Sequence, residues 1–366
     1  MGFGSLTYLL VPFFTGLATF TLAIFNNVEG VNIEAMNIPA EVTGKTGYTS
    51  PVVIKRLADR MKDIEEQAQS RADGKKVMAQ DDGGSAAILG QYFGLSSLLK
   101  VVQTSFGLIP YTLAGEVVIN GKSMNMIIRG SDNTTSHTTI IKTSAPVGDF
   151  SGLIDQSAYE AVRMIDPALL AAYQFKRDYL TRNFTLTEDV IRRALASEDQ
   201  RSRKWVLNLW GVVLYQQSDF DGAIEKFRQA IDLDPAFTAS LLNWGVVLAR
   251  QGKQEEAIGK YIRVVESWRR GNPSDTLAAA YSEWGFSLAL LGRTRDAITK
   301  FQTASQVDPT FSDVYSSWAE VLSASGRSDD AQKMTKRALE LAPVERVYTD
   351  NLIGRIQQLP AVASSR

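Results

Sequence analysis

The apolar and polar positions of this chain follow three patterns in turn. From residue 204 onward, apolar side chains recur at helical spacing: Leu207, Trp210 and Leu214, then Leu241, Trp244 and Leu248. Between residues 27 and 166 the pattern mixes strand-like alternation with amphipathic stretches. Ahead of both, Leu6 to Phe25 is a run of 20 residues without a charged side chain.

The middle region predicts a small α+β domain. Val31 to Ala35 alternates as a short strand would. Ser50-Pro51 supplies an N-cap and a proline at the first helical position, predicting a helix from Pro51 to about Gln69. Val53, Ile54, Leu57, Met61, Ile64 and Ala68 share one face of that helix. Residues 71–85 read as a polar loop, and a second helix is expected from Gly94 or Ser96 to Thr104. Strands follow at Leu113–Ile119, Ser123–Arg129 and Thr138–Thr143, with turns at Asn120-Gly121 and Asp132-Asn133. A helix from Ser151 to Ile165 completes the order β-α-α-β-β-β-α. That order argues for a mostly antiparallel sheet with helices on one face.

The C-terminal half repeats. Trp210, Trp244, Trp284 and Trp318 stand 34, 40 and 34 residues apart, and the first three precede glycine. Aligning units on Lys204, Thr238, Ala278 and Ser312 places Gly211, Gly245, Gly285 and Ala319 at the eighth position. The twentieth position is alanine in every unit (Ala223, Ala257, Ala297, Ala331). An aromatic follows in Phe227, Tyr261 and Phe301, with Thr335 breaking the pattern, and Ala230, Ala304 and Ala338 supply a second small residue, with Val264 the exception. Small residues where helices cross, beside large ones that fill the gaps, suit a closely packed helix pair. Gly252, Gly292 and Gly326 fall where a helix must stop, and Pro235, Pro309 and Pro343 where continuation must be blocked.

Over residues 204–345 the chain resembles the tetratricopeptide-repeat family, in its bacterial membrane-anchored type. It departs in carrying tryptophan at the seventh position, where the family more often has leucine. It departs again in six extra residues around Trp268-Arg269-Arg270-Gly271-Asn272-Pro273. Pro167–Tyr179 and Glu188–Ala196 read as a degenerate further unit, with Thr185-Leu186-Thr187-Glu188 as a capping box for its second helix. Val347 to Leu359 reads as the solvent-facing cap such arrays require. The expected fold is mainly α: an N-terminal transmembrane helix, a small α+β domain with an antiparallel sheet, and a C-terminal α-solenoid of helix pairs. Its parts are 1–26 (anchor or signal segment), 27–166 (extracytoplasmic domain), 167–203 (degenerate helix pair), 204–345 (four units) and 346–366 (cap and tail). The 27–166 region resembles, in element order alone, the extracytoplasmic segment of some bacterial membrane-anchored repeat proteins and the small docking domains of envelope assemblies.

About 20 residues span a bilayer core, so Leu6–Phe25 is read as a single-pass anchor in a bacterial inner membrane with the bulk periplasmic. The alternatives are a cleaved signal segment, which would leave the chain in the periplasm, and a buried helix. Lys plus Arg (39) balances Asp plus Glu (40), which gives nucleic acid no electrostatic footprint. The chain has no cysteine, which removes disulfides, thiol catalysis and thiolate metal sites. His137, the single histidine, lies in a Thr/Ser stretch with no nucleophile elbow. Gly44-Lys45-Thr46 lacks the earlier glycine of a phosphate loop, since that position is Pro39. No catalytic, cofactor or metal motif emerges, and the expectation is a non-enzymatic scaffold. Asn133-Thr134-Thr135 and Asn183-Phe184-Thr185 match glycosylation acceptors, which matter in a eukaryotic secretory setting.

The resemblance implies that partner proteins or peptides bind a concave groove built from the first helix of each unit. In this chain those positions are Asn208, Val212, Tyr215, Gln216, Leu242, Val246, Arg250, Ser282, Phe286, Leu290, Ser316 and Glu320. Leu242 and Leu290 read equally well as packing between repeats. A carboxylate clamp of the family type is not expected, because Ala279 and Glu283 stand where it needs cations, although Asn243 could contribute. Two other readings remain: an accessory subunit of an envelope enzyme or transport complex, active or docking through residues 30–160, and a structural subunit that self-assembles.

Overall fold

The structure, a computed structural model, describes residues 31–68, 111–133, 136–196, 202–268 and 274–341, and its contacts divide the chain between Ser202 and Arg203. The first unit runs β1 (Val31–Ile33), α1 (Ala40–Thr46), α2 (Ser50–Ala68), β2 (Tyr111–Asn120), β3 (Ser123–Asp132), β4 (His137–Pro146), α3 (Phe150–Ile165), α4 (Pro167–Thr181) and α5 (Thr185–Ala196). The sheet order is β1-β2-β3-β4. The last three strands form the expected antiparallel meander, whereas β1 pairs with β2 in parallel, Val31 opposite Tyr111.

Alternation places Leu113, Val117, Met124, Met126, Ile128, Ile141 and Ala145 on the buried face. Leu153, Ile154, Ala158, Val162 and Ile165 of α3 are buried too, and α3 packs on β3, β4 and α2. Burying each large aliphatic side chain contributes roughly 1.5–3 kcal/mol. One polar contact crosses this core: the Thr143 and Ser157 hydroxyls lie 2.6 Å apart, and Ser157 donates onward to the Leu153 carbonyl at 2.7 Å.

The hairpin between β2 and β3 turns at Gly121-Lys122, since Asn120 still pairs with Ser123. Gly121 takes φ +60° at the first central position, the arrangement of a type II′ turn. The Asn-Gly signal therefore marks the turn but sits one residue early. Helix α1 was not legible in the sequence: it runs from Pro39 to a left-handed Gly47 and absorbs the Gly44-Lys45-Thr46 string. Ser50 takes the Met36 N–H on its hydroxyl at 2.9 Å, tying α2 to the segment after β1.

Helices α4 and α5 pack on each other, and α4 packs on α2 and α3. Asp166 caps α4 by accepting the Leu169 N–H at 2.8 Å. The start of α5 differs from the capping box expected there. Asn183 accepts the Thr185 N–H at 3.2 Å and the Thr185 hydroxyl at 2.7 Å. The buried Asp178 carboxylate accepts the Thr187 N–H at 3.0 Å, its hydroxyl at 2.8 Å and the Gln174 amide at 2.8 Å.

The described residues of the second unit form four helix pairs: α6 (Arg203–Gln216) with α7 (Phe220–Leu233), α8 (Thr238–Arg250) with α9 (Gln254–Ser267), α10 (Ser274–Leu290) with α11 (Thr294–Val307), and α12 (Ser312–Ala324) with α13 (Ser328–Leu341). A Cβ at Gly211 would lie 2.4 Å from the Phe227 ring, and one at Gly245 2.4 Å from the Tyr261 ring. Ala223, Ala257, Ala297, Ala230 and Ala304 are fully buried at the crossings. Gly252, Gly292 and Gly326 end the first helix of three pairs at φ near +77°, while Ser218 does so in the first pair at φ +65°. The inserted residues fall between α9 and α10. Part of the insertion is helical, because α10 begins at Ser274, one turn ahead of the repeat register at Ala278.

Among the described residues no helix is long and apolar enough to cross a membrane. The expected anchor at Leu6–Phe25, the 71–85 loop, the Gly94–Thr104 helix and the cap at Val347–Leu359 lie outside the described residues.

Candidate protein-binding face of the repeats

Each first helix of a pair carries two kinds of position. One kind is buried, such as Leu207, Gly211 beneath the Phe227 ring, and Leu241, which packs with Val264 of its own pair and with Ile231 and Ala280 of its neighbours. The other kind belongs to the row expected to meet a partner. Asn208, Val212, Tyr215, Gln216, Leu242, Val246, Arg250, Leu290, Ser316 and Glu320 are half-buried. Ser282 and Phe286 are not part of an open row, each being only 4% exposed. Phe286 packs with Ala297, Phe301 and Val321, so the next first helix, α12, covers it. Leu290 leans on the same cluster, and Leu242 packs partly against two neighbouring clusters.

The first two units are stitched together by polar groups from this row. The Asn208 carbonyl oxygen accepts from the Ser240 hydroxyl at 2.9 Å and from the Asn243 amide at 3.0 Å. Arg250 Nε donates to the Tyr215 hydroxyl at 3.1 Å. One face of Tyr215 and Val212 packs on the Ala223–Phe227–Val247 cluster. These side chains are therefore held in place before any partner arrives, which lowers the ordering cost of binding. Asn243, a possible clamp residue in the sequence, spends its amide inside the array.

The tryptophans explain the chain's departure from the family pattern at the seventh position. Lys226, Lys260 and Lys300 place their ammonium groups 4.0, 3.4 and 3.6 Å from the ring centroids of Trp210, Trp244 and Trp284. Each lysine follows its tryptophan by 16 residues, a recurrence present in the sequence but unread there. A cation over an indole face is attracted to the ring's quadrupole. Burial pulls the pKa of Lys260 and of Lys300 below the ordinary value. The fourth unit has Met334 at that position, and Trp318 stacks instead on Phe301, 6.3 Å between centroids. Lys204 joins the start of the first unit to its end through Asp234 at 2.7 Å.

The sequence profile of the tetratricopeptide repeat matches residues 208–275. Among curated proteins, the chain is similar to the "Probable UDP-N-acetylglucosamine–peptide N-acetylglucosaminyltransferase SPINDLY" of Hordeum vulgare, with 30% identity over 107 residues, 28% of this chain and 11% of that protein. It is also similar to the photosystem I assembly protein Ycf3 of Rippkaea orientalis, with 29% identity over 80 residues, 20% of this chain and 46% of that one. The chain thus spans less than half the length of these relatives. Among solved structures, TTC0263, a thermophilic TPR protein of Thermus thermophilus, matches with 21% identity and TM-score 0.42 over 52% of this chain and 96% of that one. MamA matches with 20% identity and TM-score 0.35 over 45% and 92%.

Proposed function

We propose that this tetratricopeptide-repeat protein is a non-enzymatic scaffold that holds a partner protein near a bacterial membrane, the partner lying along the first-helix row. The repeats are a protein-interaction architecture. The observation that carries the finer reading is the pre-set row of Asn208, Val212, Tyr215 and Arg250, half-buried and pinned across two units. A mixed amide, aromatic and aliphatic row suits an extended or helical peptide segment. The relative named as an assembly protein favours the same kind of work. The transferase activity named for the barley relative is not carried over, since the match spans 11% of that protein. Leu6–Phe25 supports anchoring by its length and lack of charge, and anchoring would raise the local concentration of whatever the repeats hold.

The test is a crosslinking pull-down from membranes, comparing the parent chain with Tyr215→Ala/Gln216→Ala/Arg250→Ala. Phe286 is left out because it belongs to the core. Loss of partners with a native circular dichroism spectrum is expected. Identical partner sets would move the working surface elsewhere.

A further inference from the structure

The N-terminal unit holds a cavity of about 640 Å³ that the repeat reading leaves unused. Three successive residues of β4 line it, Lys142, Thr143 and Ser144, with α3 beside them. Successive strand residues point to opposite faces, so a space touching three in a row meets the strand's edge. β4 ends the sheet order, and no strand pairs with its outer edge among the described residues.

The register settles which backbone groups face outward. Asn120 and Ser123 close a two-residue hairpin and exchange hydrogen bonds, and bonded pairs alternate from there. Across β3 and β4 the bonded pairs are then Met124 with Ala145 and Met126 with Thr143. The Val147 N–H, 2.9 Å from the Lys122 carbonyl, continues that phase. Lys142 and Ser144 therefore turn their N–H and C=O groups out of the sheet, on the side of the cavity.

The charges around the cavity are unequally matched. Asp155 lies 3.2 Å from Arg60 Nε, and Glu160 accepts from Arg163 Nε at 2.7 Å. Arg177 and Lys142 have no carboxylate at ion-pair distance among the described residues. Arg177 donates to the Tyr173 hydroxyl at 3.0 Å, which leaves it further N–H groups. Burial, reinforced by Glu160, raises the pKa of Tyr159, so its phenol stays a hydrogen-bond donor. Lys142 sits on the exposed face opposite α3, and its four-carbon stem is long enough to turn over the free edge.

We propose that β4 takes up the C-terminal end of an extended peptide as an added strand, with the peptide's terminal carboxylate held by Arg177 and Lys142. Main-chain bonds to Lys142 and Ser144 supply affinity, and the carboxylate fixes where the peptide ends. Two cations without an acidic partner match a chain terminus better than an uncharged internal segment. This site is separate from the repeat face, and neither reading depends on the other.

The test uses the full-length protein and fluorescein-labelled octapeptide pools, randomised at alternate positions and made with either a free or an amidated C-terminus. Retention of the free-acid pool should exceed that of the amide pool by about tenfold or more, as charge-assisted hydrogen bonds outweigh neutral ones. Arg177→Gln should bring the free-acid pool down to the amide level. Ser144→Pro removes an outward N–H and spares the β3 ladder, so it should abolish retention while Ser144→Ala keeps it. Equal retention of the two pools by the parent protein would overturn the proposal, whatever the proline variant does. Retention of the free-acid pool by a folded Ser144→Pro variant that succinate displaces would also overturn it, making the cavity a small-anion site.

Discussion

The two units of this chain bury their cores in opposite ways. In the repeats, a core contact joins the two helices of one pair, as when Gly211 admits the Phe227 ring and Gly245 the Tyr261 ring. In the N-terminal unit, β1 pairs with a strand 80 positions away in sequence, Val31 with Tyr111. Local contacts recur and so leave a period in the sequence; distant ones occur once and leave none. The same contrast extends to polar groups. The repeats place theirs in lysine–tryptophan pairs that recur three times, while the N-terminal unit buries the Asp178 carboxylate among donors from two helices.

The sharpest way to break the comparison is to fill a helix crossing. Gly245→Val should destabilise the array by about 3 kcal/mol, since overpacking a tight site costs ~1–3 and sometimes more. The graded version is Gly→Ala, costlier at Gly211 and Gly245 than at Gly285, where the added Cβ would meet the Ala297 carbonyl at 3.1 Å and the Phe301 ring at 3.2 Å instead of a ring at 2.4 Å. Thermal melts of the three variants check this, and equal losses would mean that the crossings are not ranked by ring distance. Replacing Ala223 or Ala297 by leucine belongs to the same class, because both are fully buried.

Next in size is Asp178→Ala. It leaves the Thr187 N–H and hydroxyl without their acceptor, a loss of about 2 kcal/mol by the cost of orphaned buried groups. Hydrogen exchange should quicken over residues 185–196 and stay unchanged over 203–341; acceleration in the repeats would mean that this carboxylate also supports the second unit. A smaller effect is expected from Lys260→Met, which removes one cation over Trp244 and should cost about 0.5–1 kcal/mol. Met334→Lys asks the reverse question in the fourth unit, with a gain in melting temperature expected if register alone sets the pairing.

The smallest effect is in acid. The hydrogen bond from Lys204 is the first cause holding the Asp234 carboxyl below its ordinary value of 3.8. The unfolded chain then binds that proton more readily, so the stabilisation is complete above the ordinary value and fades as pH falls through the lower folded one. Lys204→Met should flatten this part of the acid melting profile, and an unaltered profile would mean that the pair contributes nothing to stability in acid.

The sequence carried the repeats almost whole because their cues are periodic: all eight helices, the glycines at +76° to +79°, and the rings at the twenty-fourth position were legible. The meander and α3 were legible through alternation and the Asn-Gly signal. What was hidden depended on partners far away. Phe286 looks like a groove residue by position, but it is buried in a cluster with Ala297 and Phe301 of its own pair and Val321 of the next. Asp178 reads as an ordinary helical acid until Thr187 turns back onto it. The parallel placement of β1, and the helix at Ala40–Thr46 that follows it, have no local pattern to betray them.

The joints between repeats are not alike. The first is fastened by hydrogen bonds, Asn208 to Ser240 and Asn243 and Tyr215 to Arg250, which keep their strength only within a narrow range of angle and distance. At the third, Phe286 of α10 meets Val321 of α12, an apolar contact with no preferred direction. Reorienting the first joint must therefore strain directional bonds in addition to the apolar contact of Val212 and Tyr215 with the Val247 cluster. Orientation between the first two repeats is thus set by angle as well as by contact.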